Sequence, residues 1–143
     1  MIIRSQQFDA FQSQANAGLA RRIIEFLRSN CAETIVQFSE RATLVEALPD
    51  EAFFGMVQNG IARARSYGMT LESSLGAFVV LMFVAAPNFD SHPLIHRVLK
   101  DESIDPDSRI DQLWQRASEQ NWEAIQQNYD ANAWTRKAEE NGQ

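Results

Sequence analysis

Residues 70–85 read TLESSLGAFVVLMFVA, and this stretch decides the fold. Thr70 can cap the start of a helix and Pro87 cannot continue one, so the two residues bound a predicted helix over 70–85. Apolar residues lie on most sides of that helix, which is typical of a helix at the centre of a core. Its apolar run, residues 75–87, is shorter than the roughly 20 residues that a membrane-spanning helix requires. We therefore predict a central core helix and no membrane insertion.

The segments before this stretch predict further helices. Pro49 suits a first helical turn and Gly68 suits the position after a last turn, which predicts a helix over 49–67. Residues 31–48 have no clear periodicity and are assigned a short helix. The amino-terminal segment begins at Ser5, a candidate N-cap, and Gly18 is a possible division within it. Its apolar residues recur every three or four positions, as on one buried helix face: Phe8, Phe11, Ala15, Leu19, Ile23 and Phe26 or Leu27.

The segments after it predict two more helices. Turn-forming residues over 86–93 precede a short predicted helix over 94–100. Asp105 and Pro106 resemble a cap and first turn, and they start a predicted helix that reaches Gln127. The inner face of that helix is predicted to hold Ile110, Leu113, Trp114 and Ala117.

The chain therefore predicts an all-α fold, a single compact bundle of about five to six helices around the central apolar helix at about 70–85. A length of 143 residues with 45% hydrophobic residues suits one domain with a true core. We assign that domain to residues 1–130. After Asp130 only Trp134 could anchor the chain, so residues 131–143 are predicted to be a polar C-terminal tail that frays.

The net charge of −6 is concentrated at one end of the sequence. The last 43 residues hold ten acidic and four basic residues, whereas the two signs balance over residues 1–100. This distribution argues against nucleic acid as a partner, because phosphates require a basic surface. Cys31 is the single cysteine, and the first residues lack the pattern of a secretory signal, so we expect a cytoplasmic location.

The residues that carry chemistry do not form a recognisable catalytic, metal or nucleotide motif. His92 and His96 stand four apart and Asp90 lies near them, but zinc catalysis usually needs a third strong ligand and a general base. The chain also lacks a GxSxG motif and a glycine-rich phosphate loop. We predict no enzyme, no metal and no cofactor, and a small helical hydrolase that uses His92 or His96 remains an alternative. The carboxylates of the last predicted helix are interpreted as a solvated face: Asp107, Asp111, Glu119 and Glu123.

Arg63 and Tyr67 stand at positions i and i+4 of the helix over 49–67, so they share one face. A buried Tyr67 hydroxyl needs a partner, which the turn at 88–90 could supply while Asp90 pairs with Arg63. We favour this structural interpretation over a docking role, and tryptophans are likewise more often core residues than interface anchors. The alternative, partner binding, has these candidate residues: Arg63, Tyr67, Asn88, Phe89, Asp90, His92 and Trp114.

Four segments carry a resemblance to a known family. Residues 60–70 read GIARARSYGMT, residues 81–83 read LMF, residues 87–93 read PNFDSHP, and the opening residues 2–7 read IIRSQQ. In this order they resemble a family of small helical proteins encoded in bacterial type VI secretion effector clusters, beside DUF4123-type adaptor chaperones. The resemblance spans about residues 1–95. Two departures are mild: Met69 stands where the family pattern has Ile or Val, and alanine occupies positions 85 and 86, where one is often glycine.

The resemblance implies a role rather than an active site. Proteins of this neighbourhood are thought to be accessory chaperones, or co-chaperones, which bind an adaptor chaperone or a secreted effector in the bacterial cytoplasm. An apolar helical face could cover a client segment, and the acidic C-terminal part could attract a basic partner. An immunity protein that neutralises a secreted toxin is the alternative. The sequence leaves the client, the docking face and the oligomeric state open.

Overall fold

The computed structural model describes residues 5–38 and 40–135, and of residues 5–16 it describes the backbone alone. Over these ranges the fold is all-α with one small hairpin, so the predicted fold class is confirmed. The helices are α1 (Ser5–Asn30), α2 (Asp50–Ser66), α3 (Glu72–Val84), α4 (Pro93–Leu99), α5 (Arg109–Arg116) and α6 (Glu119–Gln127). Short 3₁₀ turns span Val45–Ala47, Phe89–Ser91, Pro106–Ser108 and Ala131–Trp134. None of the helices in the described ranges is both long and apolar enough to cross a bilayer.

Helix α3 is the central helix, as residues 70–85 predict, and it contacts α1, α2 and α5. Its start differs from the prediction, because the Thr70 side chain does not cap it. Instead, one carboxylate oxygen of Asp107 accepts hydrogen bonds from the N–H groups of Thr70 and Leu71, at 2.9 and 3.0 Å. Asp107 therefore fixes the entry to α3 and is not part of a purely solvated face. The α3 core residues are Leu75, Phe78, Val79, Leu81, Met82 and Phe83.

The short helix predicted over 31–48 is wrong. Residues Ile35–Phe38 and Arg41–Leu44 form strands β1 and β2, which pair antiparallel with Ile35 opposite Leu44. The β-branched residues of this segment favour extended backbone, and alternation places Val36 in the core while Ile35 faces outward. The Val45–Ala47 turn then leads into α2, which ends before Gly68 at φ 96°, as the sequence predicts.

The helix predicted to run to Gln127 is interrupted at Ala117, so the prediction of one helix is wrong. Ser118 starts a new helix through a capping box: its hydroxyl accepts from the Asn121 N–H, and the Asn121 side-chain oxygen accepts from the Ser118 N–H. Ile110 and Leu113 lie in the core as predicted, whereas Trp114 is 60% exposed. The break and the short α5 leave Trp114 on the outside of the bundle.

The predicted polar tail starts at Ala131, and the first described residues of that segment pack against the bundle. Ala133 and Trp134 are buried in the Ala131–Trp134 turn. The Trp134 indole N–H donates to the Gln37 carbonyl oxygen at 2.9 Å, and its ring lies 4.7 Å from the ring of Phe83. The large apolar area of tryptophan explains why a single residue holds this segment in the core. The rest of the predicted tail, residues 136–143, is outside the described residues.

Candidate functional site

Arg63, a candidate residue from the sequence, lies inside the fold and is only 1% exposed. One terminal nitrogen donates to the Pro87 carbonyl oxygen and to a carboxylate oxygen of Asp90, the latter at 3.2 Å. The other terminal nitrogen donates to the Ala133 carbonyl oxygen. The planar guanidinium suits this task, because its donors point in several fixed directions. Arg63 thereby links α2 to the turn after α3 and to the last turn of the described chain.

Tyr67 completes this network one helical turn after Arg63. Its hydroxyl donates to the second carboxylate oxygen of Asp90 at 2.8 Å. Burial raises the pKa of the Tyr67 hydroxyl, and the Asp90 charge and hydrogen bond raise it further. The hydroxyl therefore stays protonated at neutral pH and acts as a hydrogen-bond donor to Asp90. The predicted contacts of Asp90 with Arg63 and Tyr67 are confirmed.

The turn at residues 88–91 is held from two further sides. The Asn88 side chain donates to the Asn128 carbonyl oxygen and accepts from the Asp130 N–H, both at 2.9 Å. Phe89 is completely buried, with its ring 4.9 Å from that of Phe78. The structure thus brings together the candidate residues of this turn, but it buries most of them. Arg63, Tyr67, Phe89 and Asp90 brace the fold and do not form an open surface.

The two histidines have separate surroundings. His92 Nδ1 accepts from the Leu94 N–H at 3.2 Å and so caps α4. His96 Nδ1 lies 3.4 Å from the Tyr67 hydroxyl, at a small cavity of about 170 Å³ that Asp90 and Ser91 also line. Among the side chains of residues 17–38 and 40–135, no group of three His, Cys, Asp or Glu is placed to hold a metal ion.

In contrast to these buried residues, an apolar groove lies at the protein surface between α1, α3 and α5. Its volume is about 550 Å³. Three large apolar side chains are strongly exposed along it: Phe26 at 49%, Val84 at 42% and Trp114 at 60%. We call this surface the α1/α3/α5 groove. Its lining consists of Leu19, Arg22, Ile23, Phe26, Glu72, Ser73, Gly76, Ala77, Val80, Leu81, Val84 and Trp114.

The depth of the α1/α3/α5 groove follows from side-chain size. Gly76 and Ala77 form a low floor on α3, and a Cβ atom added at Gly76 would still be 3.9 Å from the nearest side chain, that of Ile23. Phe26 lines the groove from α1, and Trp114 lines it from α5. The Trp114 ring is supported from behind by Trp122 of α6, at a ring distance of 5.7 Å. The walls are thus built from larger residues than the floor.

One ion pair stands at the edge of this groove. Arg22 of α1 contacts Glu72 of α3 at 2.6 Å, and both side chains are more than half exposed. An exposed pair of this kind contributes little to stability. The charges of Arg22 and Glu72 cancel each other, and the other lining residues are uncharged. The groove lining therefore has no net charge.

Of the residues that the sequence singles out for partner binding, Trp114 alone lines the α1/α3/α5 groove. Periodicity predicts a buried face of α1 with Leu19, Ile23 and either Phe26 or Leu27. In the structure Leu27 joins the core, whereas Phe26 is exposed and lines the groove. The spacing does not show that α5 stops short of covering that face. The sequence therefore does not predict the groove, because the groove depends on where the three helices end and not on a motif.

Comparisons with protein-family models, with curated proteins and with solved structures find no match.

Proposed function

We propose that this protein is a non-enzymatic accessory chaperone, which holds an amphipathic helix of a partner protein in the α1/α3/α5 groove. One observation carries the proposal: the contiguous apolar surface that Phe26, Val84 and Trp114 leave in water. Exposed apolar patches of this kind are typical of protein interaction sites, because a folded domain otherwise covers such area.

The shape of the groove favours a helix as its occupant. The groove runs between helices, and a helix that enters such a groove presents side chains at positions i, i+3, i+4 and i+7. Aromatic side chains such as Phe26 and Trp114 are frequent anchors of interfaces, since they bury a large area with few rotatable bonds. The low floor at Gly76 and Ala77 gives space for the partner's apolar side chains.

The family resemblance supports a more specific version of this proposal. The resembling segments at residues 60–70 and 87–93 contain Arg63, Tyr67 and Asp90, which form the buried hydrogen-bond network. These segments therefore specify a scaffold rather than a reaction. We propose that the partner is an adaptor chaperone or secreted effector of a bacterial type VI secretion system, bound in the cytoplasm. The groove on this scaffold would cover an apolar segment of the partner before export.

The test co-expresses this protein with the products of its neighbouring genes, among which the proposal expects an effector and an adaptor. Val84→Glu places a charge in the groove, and Leu71→Glu places the same charge at an exposed apolar site on the N-terminal side of α3, outside the groove. We expect the Val84→Glu variant to lower the soluble level of the effector several-fold, and the Leu71→Glu variant to leave it unchanged. Equal levels with both variants and the native chain would contradict the proposal.

Gene deletion separates the chaperone from an immunity protein. Loss of an accessory chaperone should reduce effector stability or export without harming the cell. Death of sibling cells after deletion, prevented by supplying the native chain, would instead establish the immunity role and overturn the chaperone proposal.

A further inference from the structure

We infer that the helix that fills the α1/α3/α5 groove is basic, with lysine or arginine residues flanking its apolar stripe. This inference rests on the proposed function, since it names the chemistry of the partner at the same groove. It is drawn from the charges that surround the apolar lining, on the α5 and α6 side above all.

The part of the described chain that follows α4 has a strongly acidic surface. Residues 101–135 contain eight acidic and two basic residues. Of the two basic residues, Arg109 is buried and donates to the carbonyl oxygens of Tyr67, Leu99 and Ile104. Arg116 lies 3.9 Å from Asp101. Neither arginine therefore offsets the remaining carboxylates that face water.

Two of the exposed carboxylates share helix faces with the tryptophans at the α5 side of the groove. Asp111 precedes Trp114 by one turn of α5, and Glu119 precedes Trp122, the support of Trp114, by one turn of α6, so each shares a helix face with a tryptophan. No ion pair within the described ranges involves these carboxylates, and we call them the acidic border. Lysine and arginine are the side chains that complement it.

A second copy of this chain fits the groove less well. A two-fold dimer through the groove would place the same patch on both sides of the interface. The carboxylates of Asp111 and Glu119 in one copy would then face the acidic border of the other copy. Like charges at an interface repel each other, so the acidic border favours a different and basic partner.

The experiment measures binding of three 18-residue helical peptides that share one leucine stripe and differ in their polar residues, which are lysine, glutamine or glutamate. Each peptide carries a fluorescent label, and anisotropy is recorded at low and at high salt. Asp111→Lys/Glu119→Lys reverses two charges of the acidic border. Glu33→Lys/Glu46→Lys is the matched control, because it makes the same change at exposed residues beside the hairpin, outside the groove lining.

We expect the lysine peptide to bind most tightly and the glutamate peptide most weakly. The Asp111→Lys/Glu119→Lys variant should weaken lysine-peptide binding about tenfold at low salt and much less at high salt. The control variant should stay within about twofold of the native chain. Circular dichroism of each variant shows that its fold is kept.

Different outcomes separate this inference from the proposed function. If the three peptides bind equally and Val84→Glu abolishes their binding, the groove holds a helix but the inference of a basic partner is wrong. If no peptide binds, or Val84→Glu changes nothing, the helix-in-groove proposal itself is wrong. A concentration-dependent dimer that Val84→Glu dissociates would assign the groove to a second copy and overturn the inference.

Discussion

Arg63 is a buried cation whose three acceptors come from two separate parts of the sequence, the turn after α3 and the last turn of the described chain. They are the Pro87 carbonyl, the Asp90 carboxylate and the Ala133 carbonyl, all on segments that follow α2 in the chain. A charge in the core is tolerated only when it is paired and hydrogen-bonded. The network pairs Arg63 with Asp90 and satisfies both terminal nitrogens of the guanidinium, and leaves Nε without a hydrogen-bond partner. The network fixes the turn after α3 relative to α2.

Replacement of Arg63 by alanine is expected to lower the free energy of unfolding by about 3–5 kcal/mol, because Asp90 would remain buried without its cation. Arg63→Lys should recover only part of this loss, since an ammonium group cannot donate to three acceptors in the same geometry. Urea unfolding followed by circular dichroism measures the change. Arg21→Ala, at an exposed position, serves as control with a change within about 0.5 kcal/mol. An equally small change for Arg63→Ala would show that the brace is not structural.

The sequence could predict part of this network. Arg63 and Tyr67 stand four apart on a predicted helix, and a buried hydroxyl needs a partner, so Asp90 in the following turn was a reasonable choice. The Ala133 carbonyl could not be foreseen in the same way, because every residue carries a carbonyl group and no side-chain type marks the one that is used. Specific side-chain pairs are therefore more predictable than contacts with the backbone.

At the scale of whole elements, α2 packs tightly against α3 at Gly60. A Cβ atom at Gly60 would lie 2.8 Å from the Met82 sulfur and 2.9 Å from a methyl group of Val79. The glycine therefore sets the distance between the two helices. Gly55 lies in the same helix but is exposed, and a Cβ atom there would meet nothing within 4 Å.

These two glycines predict opposite effects of the same substitution. Gly60→Ala is expected to destabilise the protein by about 1–3 kcal/mol, because the added methyl group forces α2 and α3 apart. Gly55→Ala should stabilise it by roughly 0.5–1 kcal/mol, since alanine favours the helix and costs no contact. Thermal unfolding of both variants under one condition measures the difference. A stabilised Gly60→Ala variant would show that Met82 and Val79 can move aside, and that this helix contact is loose.

The helices over 49–67 and 70–85 were predictable because the first has one apolar face, the second is apolar on most sides, and both have marked ends. Residues 49–67 and 70–85 were assigned on this basis, and the structure has α2 and α3 there within two residues at each end. The hairpin and the break before α6 were not predicted. Strands of four residues are too short to show a clear alternation, and the pair Ser118 and Asn121 competes with a helical pattern that continues across it.

Across the whole molecule, Trp134 connects parts of the chain that are remote in sequence. Its ring packs on Phe83 of α3, its N–H donates to Gln37 of β1, and its carbonyl oxygen accepts from the Asn59 side chain of α2 at 2.8 Å. The end of the described chain is thus part of the core. Sequence reasoning treated this residue as a weak anchor because the residues around it are polar.

The α1/α3/α5 groove is also a property of the whole molecule. Each of its helices has an ordinary apolar face, and α5 ends at Arg116 before it covers the outer part of α1 and α3. The sequence predicts the faces, but the uncovered part depends on the tertiary arrangement. This is why Trp114 was assigned to the core from its spacing, whereas the structure exposes it at the groove.

Trp134 and Trp114 therefore make a matched pair for the last prediction, since the first is 1% exposed and the second 60%. Trp134→Ala should lower the free energy of unfolding by about 3–5 kcal/mol, because it leaves a cavity between α3 and the hairpin. Trp114→Ala should lower it by at most about 1.5 kcal/mol, from loss of the Trp122 contact. Urea unfolding of both variants measures these changes in stability. Fluorescence anisotropy of the labelled lysine peptide measures binding to the groove. Trp114→Ala should weaken peptide binding at least tenfold while the protein stays folded; a folded Trp114→Ala variant with native affinity would show that the groove does not hold the peptide.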